Sequence, residues 1–278
     1  MPVVVVTDAS SRLPADLLEK WDIRVVPLHI LLDGRDLRDG FDDIPDDIYQ
    51  QHATTAAATP AELANAYQQA LADSGGDGVV AVHLSSALSG TYGAAQRTAA
   101  DLDANVRVVD SRSAAMGTGF VALAAARAAA DGADLGAVAG AATSAVSRGH
   151  AFVVVHRLDN LRRSGRIGGA KAWLGTALAL KPLLRIDDGK LVLAQRVRTV
   201  THATAAMIDR VCEVVGEGSA ALAVQHVANP EGANDVAAEL ARRLPACEPA
   251  IVSPLGPVLG LHVGPGAVAV CLDLAPGG

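Results

Sequence analysis

Short apolar, β-branched runs alternate with Ala- and Leu-rich stretches in the first half of the chain. The strand pattern covers residues 3–7, 23–32, 79–84, 106–110 and 152–156. The helix pattern covers residues 14–21, 60–73, 92–101, 114–130 and 135–147. Because strands that alternate with helices form parallel sheets, we expect an N-terminal α/β domain. Its sheet is mostly parallel, with helices on both faces.

The pattern changes after about residue 157. Two apolar runs, 182–186 and 191–197, flank Asp187-Asp188-Gly189, which is a strong hairpin signal. A helix over 200–215, a strand over 220–226, a helix over 233–244 and two short final strands are predicted to follow. We therefore expect an N-terminal α/β domain over residues 1–156 and a C-terminal α+β domain over residues 157–278.

The composition narrows the class of protein. Hydrophobic residues make up 50% of the 278 residues and charged residues 19%, which favours a folded chain with a sizeable core. The net charge of −7 and the 3% aromatic content argue against a nucleic-acid partner. The cysteines are scattered and the N-terminus lacks a signal-peptide pattern, so we expect a cytoplasmic protein. The longest apolar helical run contains Arg127, so no stable membrane insertion is expected.

Residues 85–91, Ser-Ser-Ala-Leu-Ser-Gly-Thr, carry the most candidate chemistry, because they stand where a predicted strand turns into a predicted helix. Free N–H groups at a helix start, together with hydroxyls, can hold a carboxylate or a phosphate. A capped helix with a Ser/Gly turn explains the same residues without a ligand. The run alone leaves both interpretations open.

The other motifs are less specific. Residues 117–122 match a Gly-x-Gly-x-x-Ala dinucleotide-binding pattern, but they do not lie in the first βα turn, where that pattern binds its ligand. The sequence also has no P-loop for a nucleotide and no Gly-x-Ser-x-Gly motif for a hydrolase serine. The aspartates of residues 39–47 and the histidines lack metal-site spacing, so we expect no cofactor and no metal. His262, within the Gly- and Pro-rich residues 256–266, and the Arg- and Gly-rich residues 161–169 fit either a ligand contact or ordinary turns.

A set of short motifs along nearly the whole chain resembles one known family. Residues 7–14 resemble the Thr-Asp-Ser-Ser-Ser-x-Leu-Pro opening of the DegV family, and residues 85–91 resemble its Ser-Ser-x-Leu-Ser-Gly-Thr loop. The further segments that resemble family motifs, in the same order, are residues 110–117, 161–167, 181–184, 196–199 and 256–266.

The resemblance implies a non-catalytic lipid-binding protein. Such a protein binds one long-chain fatty acid between its two domains, with the tail in an apolar tunnel, and presents the carboxylate to a separate fatty acid kinase of phospholipid metabolism. Carried over residue by residue, it implies that hydroxyls and loop amides at Thr55, Ser85 and Ser86 hold the carboxylate. It places Arg166 and His262 among the ligand-binding residues, and Arg198 on the surface that faces the kinase.

The chain departs from the family pattern near the expected head group. Ala56 and Ala57 stand where the family has Ser and Gln, and Thr54 replaces Thr55 as the candidate if the alignment slips by one. Two other functions remain open. One is an enzyme that acts on a carboxylate or phosphate ligand at the Ser85 loop, with His262 as its base. The other is a regulator that senses lipid.

Overall fold

The computed structural model describes residues 3–102, 105–167 and 181–276, and the chain divides into two compact units after Ser147. The strand that follows, Gly149–Val154, pairs with strands of the second unit. The division therefore falls before this strand rather than at residue 156, because its hydrogen bonds tie the strand to the second sheet.

The first unit contains two small sheets and the helices that pack on them. Its strands are β1 (Val4–Asp8), β2 (Arg24–Val26), β3 (His29–Leu32), β4 (Arg35–Arg38), β5 (Thr54–Ala56), β6 (Val79–His83) and β7 (Val106–Asp110). Its helices are α1 (Ala15–Lys20), α2 (Pro60–Asp73), α3 (Thr91–Asp101), α4 (Met116–Ala130) and α5 (Leu135–Arg148).

The larger sheet of this unit has the strand order β2-β1-β6-β7, and all its pairings are parallel. Every residue of β1 and β6 is buried, as expected of strands covered on both faces. Helices α2 and α4 both pack against β1. The parallel α/β architecture predicted for this half is confirmed.

Helix α2 shows how local signals fix an element. The side chain of Thr59 accepts a hydrogen bond from Glu62 N at 3.2 Å, and the Glu62 carboxylate accepts one from Thr59 N at 2.9 Å. This capping box, with Pro60 at the first helical position, starts the helix where the sequence predicts it.

The single strand predicted over residues 23–32 is wrong, because two strands in two different sheets occupy this segment. Pro27 lies between β2 and β3 and has no N–H to continue a strand ladder. Strand β3 instead pairs antiparallel with β4 and β5 in a smaller sheet. Strand β4 lies in the acidic segment that follows β3, and Asp39, just after β4, is buried.

The second unit is an α+β structure. Its strands are β8 (Gly149–Val154), β9 (Leu183–Asp187), β10 (Lys190–Gln195), β11 (Ala220–His226), β12 (Ile251–Pro254) and β13 (Val268–Leu274). Its helices are α6 (Asp159–Ser164), α7 (Val200–Val215), α8 (Pro230–Arg243) and α9 (Gly256–Val263). The sheet order is β10-β9-β8-β13-β11-β12, with β11 and β12 as its parallel pair among the described residues.

The core of this unit lies between the sheet and helices α7 and α8, around buried side chains such as Met207, Leu240 and Val270. The predicted β9–β10 hairpin is confirmed: Asp188 and Gly189 both have positive φ, as its turn requires. Helices α6 and α9 lie in segments for which the sequence predicts no helix: α6 overlaps the start of the Arg- and Gly-rich residues 161–169, and α9 lies within the Gly- and Pro-rich residues 256–266. Residues 168 and 169 of the Arg- and Gly-rich stretch lie outside the described residues.

Across the described ranges, no helix is long and apolar enough to cross a membrane.

Candidate functional site

Serine-rich loops follow three neighbouring strands of the parallel sheet. Because β1, β6 and β7 run in the same direction and pair side by side, their carboxyl ends meet at one edge. Such edges are where α/β sheets bind ligands. The hydroxyl residues that follow these strands are Ser10 and Ser11 after β1, Ser85 and Ser86 after β6, and Ser111 and Ser113 after β7.

The side chain of Asp8, at the end of β1, joins two of these loops. Its Oδ1 accepts hydrogen bonds from the backbone N and the hydroxyl of Ser10. Its Oδ2 accepts hydrogen bonds from Leu84 N at 3.0 Å and from His83 Nδ1 at 2.9 Å. The carboxylate is fully buried, so protein groups supply these hydrogen bonds in place of water.

A buried tyrosine completes this network from helix α2. The hydroxyl of Tyr67 lies 2.7 Å from His83 Nε2, and both residues are fully buried. Burial, and then the charge of Asp8, raise the pKa of Tyr67 above its usual range, so the hydroxyl keeps its proton at neutral pH. Both ring nitrogens of His83 are therefore engaged.

The backbone N–H groups of residues 84 to 89 all have acceptors within the first unit. Leu84 N donates to Asp8, Ser85 N to the Ser113 carbonyl at 2.8 Å, and Ser86 N to the Asp110 carboxylate at 3.3 Å. The next three amides donate to Ser85, one to its hydroxyl and two to its carbonyl. Helix α3 begins at Thr91, so a loop amide that holds a carboxylate, as the sequence predicts, would have to come from Gly90 or beyond.

The predicted hydroxyl residues differ in exposure. Ser85 is 1% exposed, whereas Ser86 is exposed at the surface of the loop. Thr55 lies half-buried on β5, where it pairs with Ile30. The structure thus places Ser85 and Ser86 on the loop after β6 and Thr55 on the smaller sheet of the same unit.

His29 lies on β3, the strand that pairs with the Thr55 strand, β5. Its Nδ1 lies 2.7 Å from the Asp36 carboxylate and its Nε2 lies 2.8 Å from that of Glu62. Burial alone would lower the pKa of His29, but the hydrogen bonds to Glu62 and Asp36 outweigh burial and raise it. The imidazole therefore ties the β3–β4 hairpin to the start of helix α2.

Backbone strain lies beside the serine loops. Ala115, just before helix α4, has φ 56° and ψ −147°, a conformation that glycine adopts far more readily. Two residues earlier, the Ser113 carbonyl accepts the hydrogen bond from Ser85 N. The strained turn thus belongs to the segment that holds the Ser85 loop.

The second unit carries the other three predicted residues. Arg166 and Arg198 are exposed, and the Arg166 guanidinium donates to the Ser164 carbonyl. His262 lies on α9, and burial of its ring, followed by the charge of Arg166, lowers its pKa to about 4. At neutral pH the imidazole is therefore uncharged, and Arg166 is the cation of the pair.

Sequence reasoning missed the network of Asp8, His83 and Tyr67. A histidine inside the apolar run of β6 is a signal that could have found part of it, because a polar side chain on a fully buried strand needs a partner. Tyr67 has no comparable local signal. In the parts of the chain that the structure describes, no group of His, Cys, Asp or Glu is placed to hold a metal ion.

Comparison with known proteins agrees with the motifs and the fold. The family model described as an uncharacterised DegV family protein matches residues 2–274. A DegV domain-containing protein of Mycobacterium tuberculosis is 75% identical over 274 residues, which cover 99% of this chain and 98% of the relative.

Two solved structures share the fold over nearly the whole chain. The fatty-acid-binding DegV family protein of Thermus thermophilus has a TM-score of 0.92 and 31% identity, over 99% of this chain and 100% of that one. DegV of Bacillus subtilis, a fatty acid binding protein, has a TM-score of 0.89 and 28% identity, with the same coverage. The serine loops at the sheet edge, the two-unit fold and the family match over residues 2–274 together show that this chain belongs to the DegV family.

Proposed function

We propose that this protein binds one long-chain fatty acid and catalyses no reaction on it, with the carboxylate held by the hydroxyls of Thr55, Ser85 and Ser86. The observation that carries the proposal is the match to fatty-acid-binding DegV proteins over 99% of the chain. The loop after β6 adds support, because its serine hydroxyls can donate hydrogen bonds to a carboxylate. Its amides from Leu84 to Ser89 already donate to acceptors within the protein.

Most of the affinity comes from the acyl tail in this proposal. Burial of a methylene group contributes about 0.8 kcal/mol, so a dozen methylenes contribute on the order of 10 kcal/mol before the entropy of binding is subtracted. A single hydrogen bond to a charged group contributes about 1.5–3 kcal/mol. The head group therefore sets orientation more than total affinity.

The hydrogen bonds around Ser85 disfavour the alternative that the protein is an enzyme with a serine nucleophile. A nucleophilic serine needs a base within hydrogen-bond reach. His83, although bonded to Asp8, directs its Nε2 to Tyr67 rather than to a serine. His262, the other candidate base, has a pKa of about 4 and is a weak base at neutral pH.

We extend the proposal to the second unit and to a partner. Arg166 and His262 contribute to binding of the head group, and Arg198 faces a separate fatty acid kinase that phosphorylates the bound acid. The exposure of Arg198 and the uncharged state of His262 are consistent with these roles. The proposal also includes a cytoplasmic location and a role in phospholipid metabolism. A regulator that senses lipid would share the binding site and differ only in its partner.

The ligand proposal is tested by calorimetry with stearic acid on delipidated protein. Ser85→Ala and Thr55→Ala should each weaken binding about tenfold or more, because each removes a hydrogen bond to a charged group. Ser147→Ala and Thr143→Ala serve as matched controls, because these exposed hydroxyls on α5 bond only to their own helix. Unchanged affinity in the Ser85/Thr55 double variant would place the carboxylate elsewhere.

The partner proposal is tested by acyl phosphate formation. Alone with ATP and stearic acid, the protein should form no acyl phosphate, and a cognate kinase should restore product. Arg198→Ala should then lower turnover while leaving stearic acid affinity unchanged, because an exposed charge acts mainly on encounter with a partner. Arg210→Ala, which changes an exposed arginine on α7, is the control. Acyl phosphate made by this chain alone would overturn the non-catalytic assignment.

A further inference from the structure

Asp8 is the point at which two loops of the candidate site are joined. One carboxylate oxygen holds the Ser10 turn after β1, and the other holds Leu84 N and His83 after β6. Leu84 is the residue before Ser85, so its hydrogen bond fixes the backbone from which the Ser85 side chain projects. Asp8 itself is fully buried at the end of β1.

His83 and Tyr67 hold this carboxylate in one orientation. The distances along the chain of groups are 2.9 Å from Asp8 to His83 and 2.7 Å from His83 to Tyr67, and all three side chains are fully buried. A buried polar network with every member satisfied specifies a single arrangement, because no water can replace a lost partner. Helix α2 thereby contributes to the geometry of a loop that follows β6.

We propose that Asp8, held by His83 and Tyr67, is the positioning residue that sets Ser85 for the carboxylate of the ligand. The inference rests on the proposed function, since it concerns how the fatty acid head group is recognised. Asp8 does not touch the ligand; it acts through the backbone of Leu84. Apolar side chains of similar size fill a core at least as well as a buried charge, so stability alone does not call for a carboxylate here.

Asp8→Asn is the sharpest change, because asparagine has one acceptor oxygen where aspartate has two. In one orientation of the amide, Leu84 N meets the NH₂ group; in the other it keeps an acceptor, but an uncharged and therefore weaker one. Tyr67→Phe is the milder change, since it removes only the hydroxyl that bonds to His83. Asp73→Asn is the matched control: Asp73 pairs with Arg24 at the start of β2, at the opposite edge of the sheet.

The readout is the ratio of affinities for stearic acid and for 1-octadecanol, which has the same tail and no carboxylate. In Asp8→Asn this ratio should fall about tenfold, as for loss of one charge-assisted hydrogen bond, and in Tyr67→Phe it should fall several-fold. The ratio should stay unchanged in Asp73→Asn. In a Ser85→Ala background, Asp8→Asn should lower the ratio no further, because both changes act on the same hydrogen bond.

Equal loss of affinity for the acid and the alcohol, or no loss for either, would overturn the positioning role. Additive effects of Asp8→Asn and Ser85→Ala would overturn it as well. If Asp8→Asn does not fold, the ratio measured with Tyr67→Phe decides. Wild-type protein that binds neither ligand would instead refute the proposed function, so the two failures are distinguishable.

Discussion

Acidification should destabilise this protein through His262. The folded-state pKa of this side chain is about 4, against an ordinary value of 6.5. Between these two values the unfolded chain binds a proton that the folded protein excludes, so the free energy of unfolding falls as the pH falls. Each pKa unit corresponds to about 1.4 kcal/mol, so the full effect is about 3 kcal/mol below pH 4.

The pKa is measured directly by NMR, from the ring-proton shifts of His262 assigned with a His262→Asn variant. In urea unfolding, His262→Asn should reduce the loss of stability between pH 7 and pH 4.5 by about 2 kcal/mol relative to wild type. His202→Asn, at an exposed position on α7, should leave that loss unchanged. A His262 ring that titrates near pH 6.5 would refute the reasoning.

The same titration tests the place of His262 in the ligand site. A carboxylate close to the imidazole favours its charged form and raises its pKa. Saturation of delipidated protein with stearic acid should therefore move the His262 pKa upward. A pKa that does not move with ligand would remove His262 from the proposed site.

Two further substitutions test the fold. Gly266→Ala should destabilise the protein by about 2–3 kcal/mol more than Gly40→Ala. Both glycines have φ +84°, but a Cβ at Gly266 would overlap the His156 ring, whereas a Cβ at Gly40 would face open space. Equal melting temperatures of the two variants would contradict this steric argument. Thr59→Ala should lower the free energy of unfolding by about 1 kcal/mol by removing the cap of α2, and unchanged urea unfolding would show that the capping box contributes nothing.

Elements with strong local signals could be predicted from the sequence. Strand β7 occupies the residues predicted for it, and helix α2 starts at its capping box. Pro27 ends one strand, but the sequence does not show that the next strand belongs to another sheet. Helix α9 was not predicted, because Gly and Pro are frequent in it and its stability comes from packing rather than propensity.

The position of the Ser85 loop between a strand and a helix could be predicted from the sequence, whereas its hydrogen bonds could not. Motifs identified Ser85 and Ser86, which lie on the loop after β6. The partners of that loop's amides are distant in sequence: Asp8 stands 76 residues before Leu84, and Asp110 stands 24 residues after Ser86. No local pattern reports such pairings, because they arise only when parallel strands bring their ends together.

The engaged amides of the Ser85 loop have a consequence for selectivity among head groups. A loop whose backbone amides are free binds a ligand more tightly when the ligand carries more negative charge, as phosphate-binding loops do. Ser86 N already donates to the Asp110 carboxylate, so a second negative charge meets repulsion from that carboxylate, and the amides of residues 84 to 89 offer it no new donor. An alkyl phosphonate should therefore bind more weakly than the carboxylic acid of equal chain length, and tighter binding of the phosphonate would contradict this. Under the proposed function, this arrangement favours retention of the acid over retention of its phosphorylated product.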